Sequence, residues 1–499
     1  MPRLKITSET GSQRLIHAET GENLLDVLTR NGIEIYAPCG GNGTCGKCRI
    51  WTGEQGTVFA CQTTVTKDDE ILLPSALEAS ILDFQHRHTH KYPVSPGTSV
   101  QLSGSPFGLA VDIGTTTIVL YFFDFRRESL VHISSMLNPQ QSYGADVISR
   151  INHCIQHKDG LESLHIELIR AINHQIRDFL TEHRLEEKDI VKVTFTGNTT
   201  MLHFLLKEDP RSIAFAPYQP RFTDEQHRYG ADLGLASNEH AFVKVLPSIS
   251  GYVGADIVAG LAALKPEDNI QTYLYIDLGT NGELALVSPG KLLCCATAAG
   301  PAFEAANILC GMPAVKGAIS GYTQAGYQTI ADAPPLGLCG SGLLDIISVL
   351  LDAGSISQTG ELEQEFVIAP AADSGSGEAI RLTPADVREL QLAKAAVAAG
   401  IQILLKSAGI DAKEVDAIYL AGGFGNYIKK ESAIRTGLLD RSFHEKIIPI
   451  GNASGTGALI ALKSEDFDSQ VNQLLEKMEY IELSSDPDFV TEYAMNMSF

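Results

Sequence analysis

Leu109-Ala110-Val111-Asp112-Ile113-Gly114-Thr115-Thr116-Thr117 reads as a buried strand running into a glycine turn that carries three hydroxyls. An aspartate at the end of such a strand can hold water on a divalent cation, while the glycine and threonine amides and hydroxyls face phosphate oxygens. The pattern returns about 165 residues later as Tyr275-Ile276-Asp277-Leu278-Gly279-Thr280-Asn281-Gly282-Glu283. That spacing predicts two duplicated halves, with a triphosphate gripped between the two turns. A third element, Ala417-Ile418-Tyr419-Leu420-Ala421-Gly422-Gly423-Phe424-Gly425-Asn426, is a strand whose glycines let a flat nucleoside approach the backbone. Each element alone is also compatible with a plain hairpin turn or strand end. In this order they support one another.

Outward from these turns, strands alternate with helices from Leu109 almost to the C-terminus, which predicts an α/β architecture with buried sheets. Strands are expected over 109–112, 118–123, 191–196, 272–277, 284–287 and 417–420. Helices are expected over 145–156, 161–182, 254–264, 342–351, 384–408 and 468–478. Glu304, in Ala299-Gly300-Pro301-Ala302-Phe303-Glu304, could polarise a water as a general base if it faces the cleft; a solvated or helix-capping role is the alternative. The stretch 196–203 ends a strand and opens a helix, so its hydroxyls are read as caps and His203 as structural. Gly451–Ala458 is either the start of a later helix or a small-residue packing turn.

The N-terminal region has a different chemistry. Residues 3–18 alternate as a hairpin, and a helix capped by Thr20, with Leu24, Leu25 and Leu28 on its apolar face, stops at Gly32. It leads into Pro38-Cys39-Gly40-Gly41-Asn42-Gly43-Thr44-Cys45-Gly46-Lys47-Cys48, and Cys61 follows in Phe59-Ala60-Cys61-Gln62-Thr63. Four thiolates in a glycine-rich loop suit an iron-sulfur cluster, because the chain can curl tightly and donate amide hydrogens to sulfide. A structural zinc site is the alternative, although only one close C-x2-C pair is present. Of the other thiols, adjacent Cys294 and Cys295 would point to opposite faces of a strand and are read, with Cys154, Cys310 and Cys339, as buried apolar cysteines rather than a second cluster. After a strand over 70–73, the tract 74–106 mixes a short helical segment with His, Pro, Ser and Gly and reads as a linker.

The cysteine loop resembles plant-type and adrenodoxin-like 2Fe-2S ferredoxins, with the first spacing one residue longer and the last cysteine early. The later motifs resemble the superfamily of sugar kinases, heat-shock chaperone ATPases and actin. The fold implied is multidomain: an α+β ferredoxin-like (β-grasp) domain over 1–74, a linker over 75–106, and an α/β actin-like ATPase over 107–499. The ATPase would hold two ribonuclease-H-like lobes, 107–246 and 247–460, and a C-terminal helical segment, 461–499. The resemblance further implies that Asp112 and Asp277 manage Mg2+ and the attacking water. Gly114, Thr115, Thr116, Gly279, Thr280 and Asn281 would face ATP phosphates; Gly422, Gly423 and Gly425 would contact adenosine; and Cys39, Cys45, Cys48 and Cys61 would hold the cluster.

Joined in one chain, the two parts resemble the ATP-dependent reductive activators that return Co(II) corrinoid to Co(I) in methyltransferase systems, in a short form without the middle domain of longer members. Expected partners are a corrinoid protein, an upstream low-potential electron donor and a second copy in a homodimer. An ATP-driven electron donor to a dehydratase-type enzyme, a small-molecule kinase and a non-enzymatic chaperone are the competing classes. A net charge of -22 on 499 residues argues against nucleic acid and anionic lipid as partners. With neither a secretory h-region nor a predominantly apolar stretch of spanning length, and with four of nine cysteines crowded into 39–61, a reducing, cytoplasmic location is expected.

Overall fold

The computed structural model describes every residue except 8–12, 32, 34, 36, 38–40, 42, 44–47, 74–90, 98–105 and 423–426. Strands β1 (Arg3–Thr7), β2 (Gln13–His17), β3 (Arg49–Thr52), β4 (Gly56–Phe59) and β5 (Asp69–Leu72) make one sheet, ordered β2-β1-β5-β3-β4. The hairpin β1-β2 is antiparallel, and β5 returns parallel to β1. Helix α1 (Leu24–Arg30) buries Leu24, Leu25 and Leu28 against Ile6, Ile50 and Ile71, the amphipathic face read from the sequence. Its cap is Asn23 rather than Thr20: the Asn23 side chain accepts from the Leu25 amide at 3.0 Å, while Gly21, after Thr20, is tied by its amide to Val65 O. The expected stop at Gly32 lies outside the described residues.

Two six-stranded sheets follow. The first holds β6 (Phe107–Ile113), β7 (Thr117–Asp124), β8 (Ser129–Leu137), β9 (Ile190–Gly197), β10 (Gln226–Tyr229) and β11 (Phe242–Val245), ordered β10-β11-β9-β6-β7-β8. The second starts with β12 (Tyr273–Leu278), β13 (Gly282–Ser288) and β14 (Lys291–Thr297). Two small sheets intervene, of β15 (Ala318–Thr323), β16 (Gly326–Thr329) and β17 (Gly337–Leu338), and of β18 (Phe366–Ala369) and β19 (Ile380–Leu382). Strands β20 (Ala417–Ala421), β21 (Ile447–Gly451) and β22 (Met478–Tyr480) then complete the order β21-β20-β12-β13-β14-β22. In both sheets an antiparallel trio (β6-β7-β8, β12-β13-β14) is extended by two parallel strands (β9 and β11, β20 and β21). Asp112 and Asp277 end the equivalent first strands, as a duplication requires.

Both faces of these sheets are covered, which is why β6 and β12 read as continuous apolar runs. On one face of the first sheet Leu109 and Val111 pack with α3 (Gly160–His183), which follows α2 (Val147–Gln156). The next helices are α4 (Thr199–Leu206), α5 (Ala255–Ala263), α6 (Gly340–Asp352) and α7 (Pro384–Ala408). Helix α7 shows in full why the sequence predicted its bounds: Thr383 and Asp386 form a capping box, Pro384 opens the first turn and Gly409 closes the end at φ 72. Helix α8 (Ala453–Lys463) covers the other face of the first sheet, where Ala458 and Leu462 meet Ala110 and Tyr121. It crosses α5 so closely that a Cβ on Gly457 would lie 2.3 Å from Ala259 O.

The helix expected over 468–478 is shorter: α9 (Asp466–Leu475) ends early because Met478 belongs to β22, which lies parallel to β14. The C-terminal segment is therefore not helical throughout. Within the expected linker, 91–97 lies against the first lobe. Ser95 exchanges backbone bonds with Lys463 and Glu465, and Tyr92 meets the Phe467 ring edge-on at 5.5 Å. The short helical segment expected in the linker falls outside the described residues.

Candidate functional site

The ends of β6 and β12 face one cleft, lined by Asp112, Gly114, Thr115, Thr116, Asp277, Gly279, Thr280, Asn281, Glu304 and Gly422. Gly423 and Gly425 lie outside the described residues. Gly422 sits at φ 83, and a Cβ there would lie 2.5 Å from Asp277 Oδ1, so the diglycine strand and the second turn touch at a point open only to glycine. Glu304 is half-buried and faces the seam, where its carboxylate accepts from the hydroxyls of Thr280 and Thr116, one from each turn. Glu304 thus faces the cleft, the condition set for a role as general base.

Four residues to which the sequence reading gave no role in the site also line the cleft: two acids and two donors to Asp112. Asp256, at the start of α5, and Glu283, the cross-strand partner of Asp277 in the β12-β13 register, both line the cleft. Asn452, the cap of α8, donates to Asp112 Oδ2 at 2.8 Å, and Ser454 donates to Oδ1 at 3.0 Å. Gly451–Ala458 is thus both a helix start and a packing turn. Carboxylates gathered this closely, two of them directly opposite across a ladder, repel one another. Burial, joined by repulsion from Asp112 and Glu304, lifts Asp277 to about 7. Burial lifts Asp256 to about 8, with Asp277 and Asp112 adding to it, and burial lifts Asp112 to about 6. Glu283 is pushed well above the usual carboxylate range by burial and by Asp256 and Asp277. Among the described residues no three of these acids close around one metal position, so a hard divalent cation here would be held by one or two of the carboxylates together with water and phosphate oxygens.

Around the 196–203 stretch, Asn198 rather than a hydroxyl caps α4, accepting from Met201 N at 2.9 Å, and its amide reaches Thr115 Oγ1. His203 is structural: Nε2 accepts from the Arg221 amide at 3.0 Å, so Nδ1 donates to Thr199 O. Burial depresses it to about 4.

These displaced values set a pH dependence. A carboxyl lifted from 3.8 to between about 6 and about 8 keeps its proton in the fold after the unfolded chain has released it. The stability it confers is full below about pH 4 and is lost as pH rises through the folded value. His203 acts oppositely, losing stability as pH falls below about 6.5, while Lys192 and Lys394, held near about 8 by burial, act above that. Between about pH 6.5 and 7.5 the carboxylates dominate. The melting temperature of the nucleotide-free protein is expected to fall across that window, and Mg2+ with ATP to restore more at its upper end. A flat profile would contradict the assignment.

In the small domain the Cys48 and Cys61 sulfurs lie 3.2 Å apart, and the Cys61 amide approaches Cys48 Sγ at 3.5 Å. Asn23 Nδ2 donates to Cys61 O at 2.8 Å and Gln62 Nε2 to Gly43 O at 3.0 Å, so the α1 cap and the residue after the last cysteine both brace the loop. Cys39 and Cys45 lie outside the described residues. Two convergent sulfurs with an amide aimed at one of them fit a thiolate-held cluster. Cys294 and Cys295 face opposite sides of β14, each in a separate apolar core, with burial raising both thiols. Among the described residues no helix is long and apolar enough to cross a membrane.

Family comparisons divide the chain along the same features. Residues 8–66 match the 2Fe-2S iron-sulfur cluster binding domain, 107–268 the RACo middle region, and 271–499 the C-terminal domain of RACo, the ASKHA domain. The "Corrinoid activation enzyme RamQ" of Eubacterium limosum is 35% identical over 422 residues, which span 79% of this chain and 70% of that protein. The chain belongs to the family of reductive activators of corrinoid proteins. A second relative of this family, the Co(II) methylated amine-specific corrinoid protein reductase of Methanosarcina barkeri, is 24% identical over 70% of this chain and 68% of its own. A solved structure titled "Reductive activator for corrinoid,iron-sulfur protein" superposes with a TM-score of 0.74 at 30% identity, covering 99% of this chain and 98% of the other. One expectation is corrected: this reductive activator does have the middle region. It is the first lobe, which repeats the strand order of the second and so reads from sequence as half of the ATPase.

Proposed function

We propose that this reductive activator uses ATP to drive one-electron reduction of a corrinoid protein from Co(II) to Co(I). The reading is carried by the junction, in one chain, of a convergent cysteine pair and a cleft where two Asp-Gly-Thr turns share Glu304. A 2Fe-2S cluster held by Cys39, Cys45, Cys48 and Cys61 supplies one-electron storage at a potential near about -400 mV in plant-type proteins. Each step of about 59 mV uphill from there costs about 1.4 kcal/mol for one electron, which is the work nucleotide turnover is asked to supply.

In the cleft, Asp112 and Asp277 would hold Mg2+ and orient the attacking water. The amides and hydroxyls of Gly114, Thr115, Thr116, Gly279, Thr280 and Asn281 face the phosphates, and Gly422, Gly423 and Gly425 admit the adenosine. Glu304, set between the two turns, is the general base: its hydrogen bonds fix the carboxylate, and burial makes it more basic than a surface glutamate. An upstream low-potential donor reloads the chain, a homodimer is the working assembly, and a reducing cytoplasm suits seven described cysteines without a disulfide among them.

The test is anaerobic mixing of the reduced protein with a Co(II) corrinoid protein while Co(I) absorption is followed. Co(I) is expected to accumulate with Mg-ATP and not without it. Equal rates in its absence would remove the energy coupling.

A further inference from the structure

A site for a triphosphate should show where its positive charge comes from, yet the cleft is lined by five carboxylates and, among the described residues, by no lysine, arginine or histidine. The missing charge lies one layer below. Arg150, on α2, is fully buried, and among the described residues no carboxylate bonds to it; Asp146, at the start of its own helix, and Glu304 of the cleft act on it only through their charge. Its Nη2 donates to Thr115 O at 2.6 Å and its Nε to Gly144 O at 2.9 Å. A buried guanidinium bonded only to neutral acceptors is costly to retain unless an anion completes it.

Its neighbours do related work. Asn138 Nδ2 donates to Gly114 O at 2.8 Å, and Gln141 Nε2 donates to Thr116 O at 2.8 Å. Three successive carbonyls of the first turn are thus drawn back by side chains from 138–150. Because a trans peptide sets C=O and N–H in opposite directions, the Thr115 and Thr116 amides are turned away from this plate. Neither finds a backbone acceptor among the described residues. Two open amides over a buried cation make an anion nest.

We propose that Arg150 is the fixed cation of the phosphate site, a positioning residue that acts through the Thr115 carbonyl to aim the first turn's amides at an ATP phosphate, with Asn138 and Gln141 as its co-supports. This rests on the nucleotide reading of the cleft. The structure gives Arg150 no direct reach into the cleft, so it selects for phosphate charge without touching the nucleoside.

The test is calorimetric titration of the full chain and of Arg150→Met and Arg150→Lys with Mg-ATP, Mg-ADP and uncharged adenosine. A charged hydrogen-bonding group is worth about ten- to hundredfold in affinity. Arg150→Met is expected to lose that much for Mg-ATP and Mg-ADP while keeping adenosine within about twofold, and Arg150→Lys to recover most of the loss. Unchanged Mg-ATP affinity in Arg150→Met would overturn the proposal, as would an equal loss of all three ligands in both variants, which would make Arg150 a packing residue. Failure of the unaltered protein to bind Mg-ATP would instead remove the nucleotide reading itself.

Discussion

Asp277→Asn is expected to lower ATP turnover by about a hundredfold or more while raising the melting temperature of the nucleotide-free protein at pH 8. Both signs come from one arrangement. Asp277 ends β12 directly opposite Glu283, and burial with the neighbouring carboxylates lifts it to about 7. Holding that charge ionised costs the empty fold about 1.4 kcal/mol for each tenfold weakening of the acid, so a neutral isostere relieves the strain. On the proposed reading the same charge would orient a cation and its water, and loss of one preorganised electrostatic group costs about 10²–10³ in rate. Steady-state phosphate release and thermal unfolding on one preparation check both halves. Normal turnover in the variant would end the role given to Asp277, and a lower melting temperature would refute the account of its burial.

Cys48→Ser is expected to abolish corrinoid reduction and the visible cluster spectrum while leaving Mg-ATP affinity within about twofold. Cys48 is buried just before β3, 3.2 Å from the Cys61 sulfur, and its carbonyl receives the Ala60 amide. The sheet beside it has a core of its own, separate from the cores that flank the cleft. Among the described residues one ion pair, Arg49 with Glu378, joins this domain to the second lobe; it is exposed, and such pairs are worth about 1 kcal/mol or less. Among the described residues, damage at Cys48 therefore has no strong path to the nucleotide site. A variant that still reduces cobalt would show that the sulfur is not a ligand, and one that loses ATP affinity would show that the sheets are more tightly joined than their contacts suggest.

Much of this architecture is legible in the residues alone. The strands 109–112 and 417–420 are readable because sheets covered on both faces leave uninterrupted apolar runs, and α7 because its caps are local chemistry. The equivalence of Asp112 and Asp277 follows from a repeated turn. What stays hidden depends on pairing between distant residues. Glu283 becomes meaningful only when the register sets it opposite Asp277. Asp256 is a single acid at a helix start, where acids commonly sit for the helix dipole. Arg150 lies on an amphipathic helix, where an arginine reads as solvated, and nothing local reveals that it meets the Thr115 carbonyl. Asn452 reaches Asp112 from 340 positions away. The middle region escapes a sequence reading for a related reason, since its strand order copies that of the other lobe.

The docking of 91–97 on the first lobe has a geometric consequence. With Ser95 and Tyr92 fastened beside α8 and α9, only residues 74–91 of the sequence separate Leu73 from that anchor. At about 3.5 Å per residue they span at most roughly 60 Å. Any electron acceptor must therefore come within that length plus the small domain's own extent of the anchor point, which bounds the seating of a partner more strictly than two unlinked proteins would.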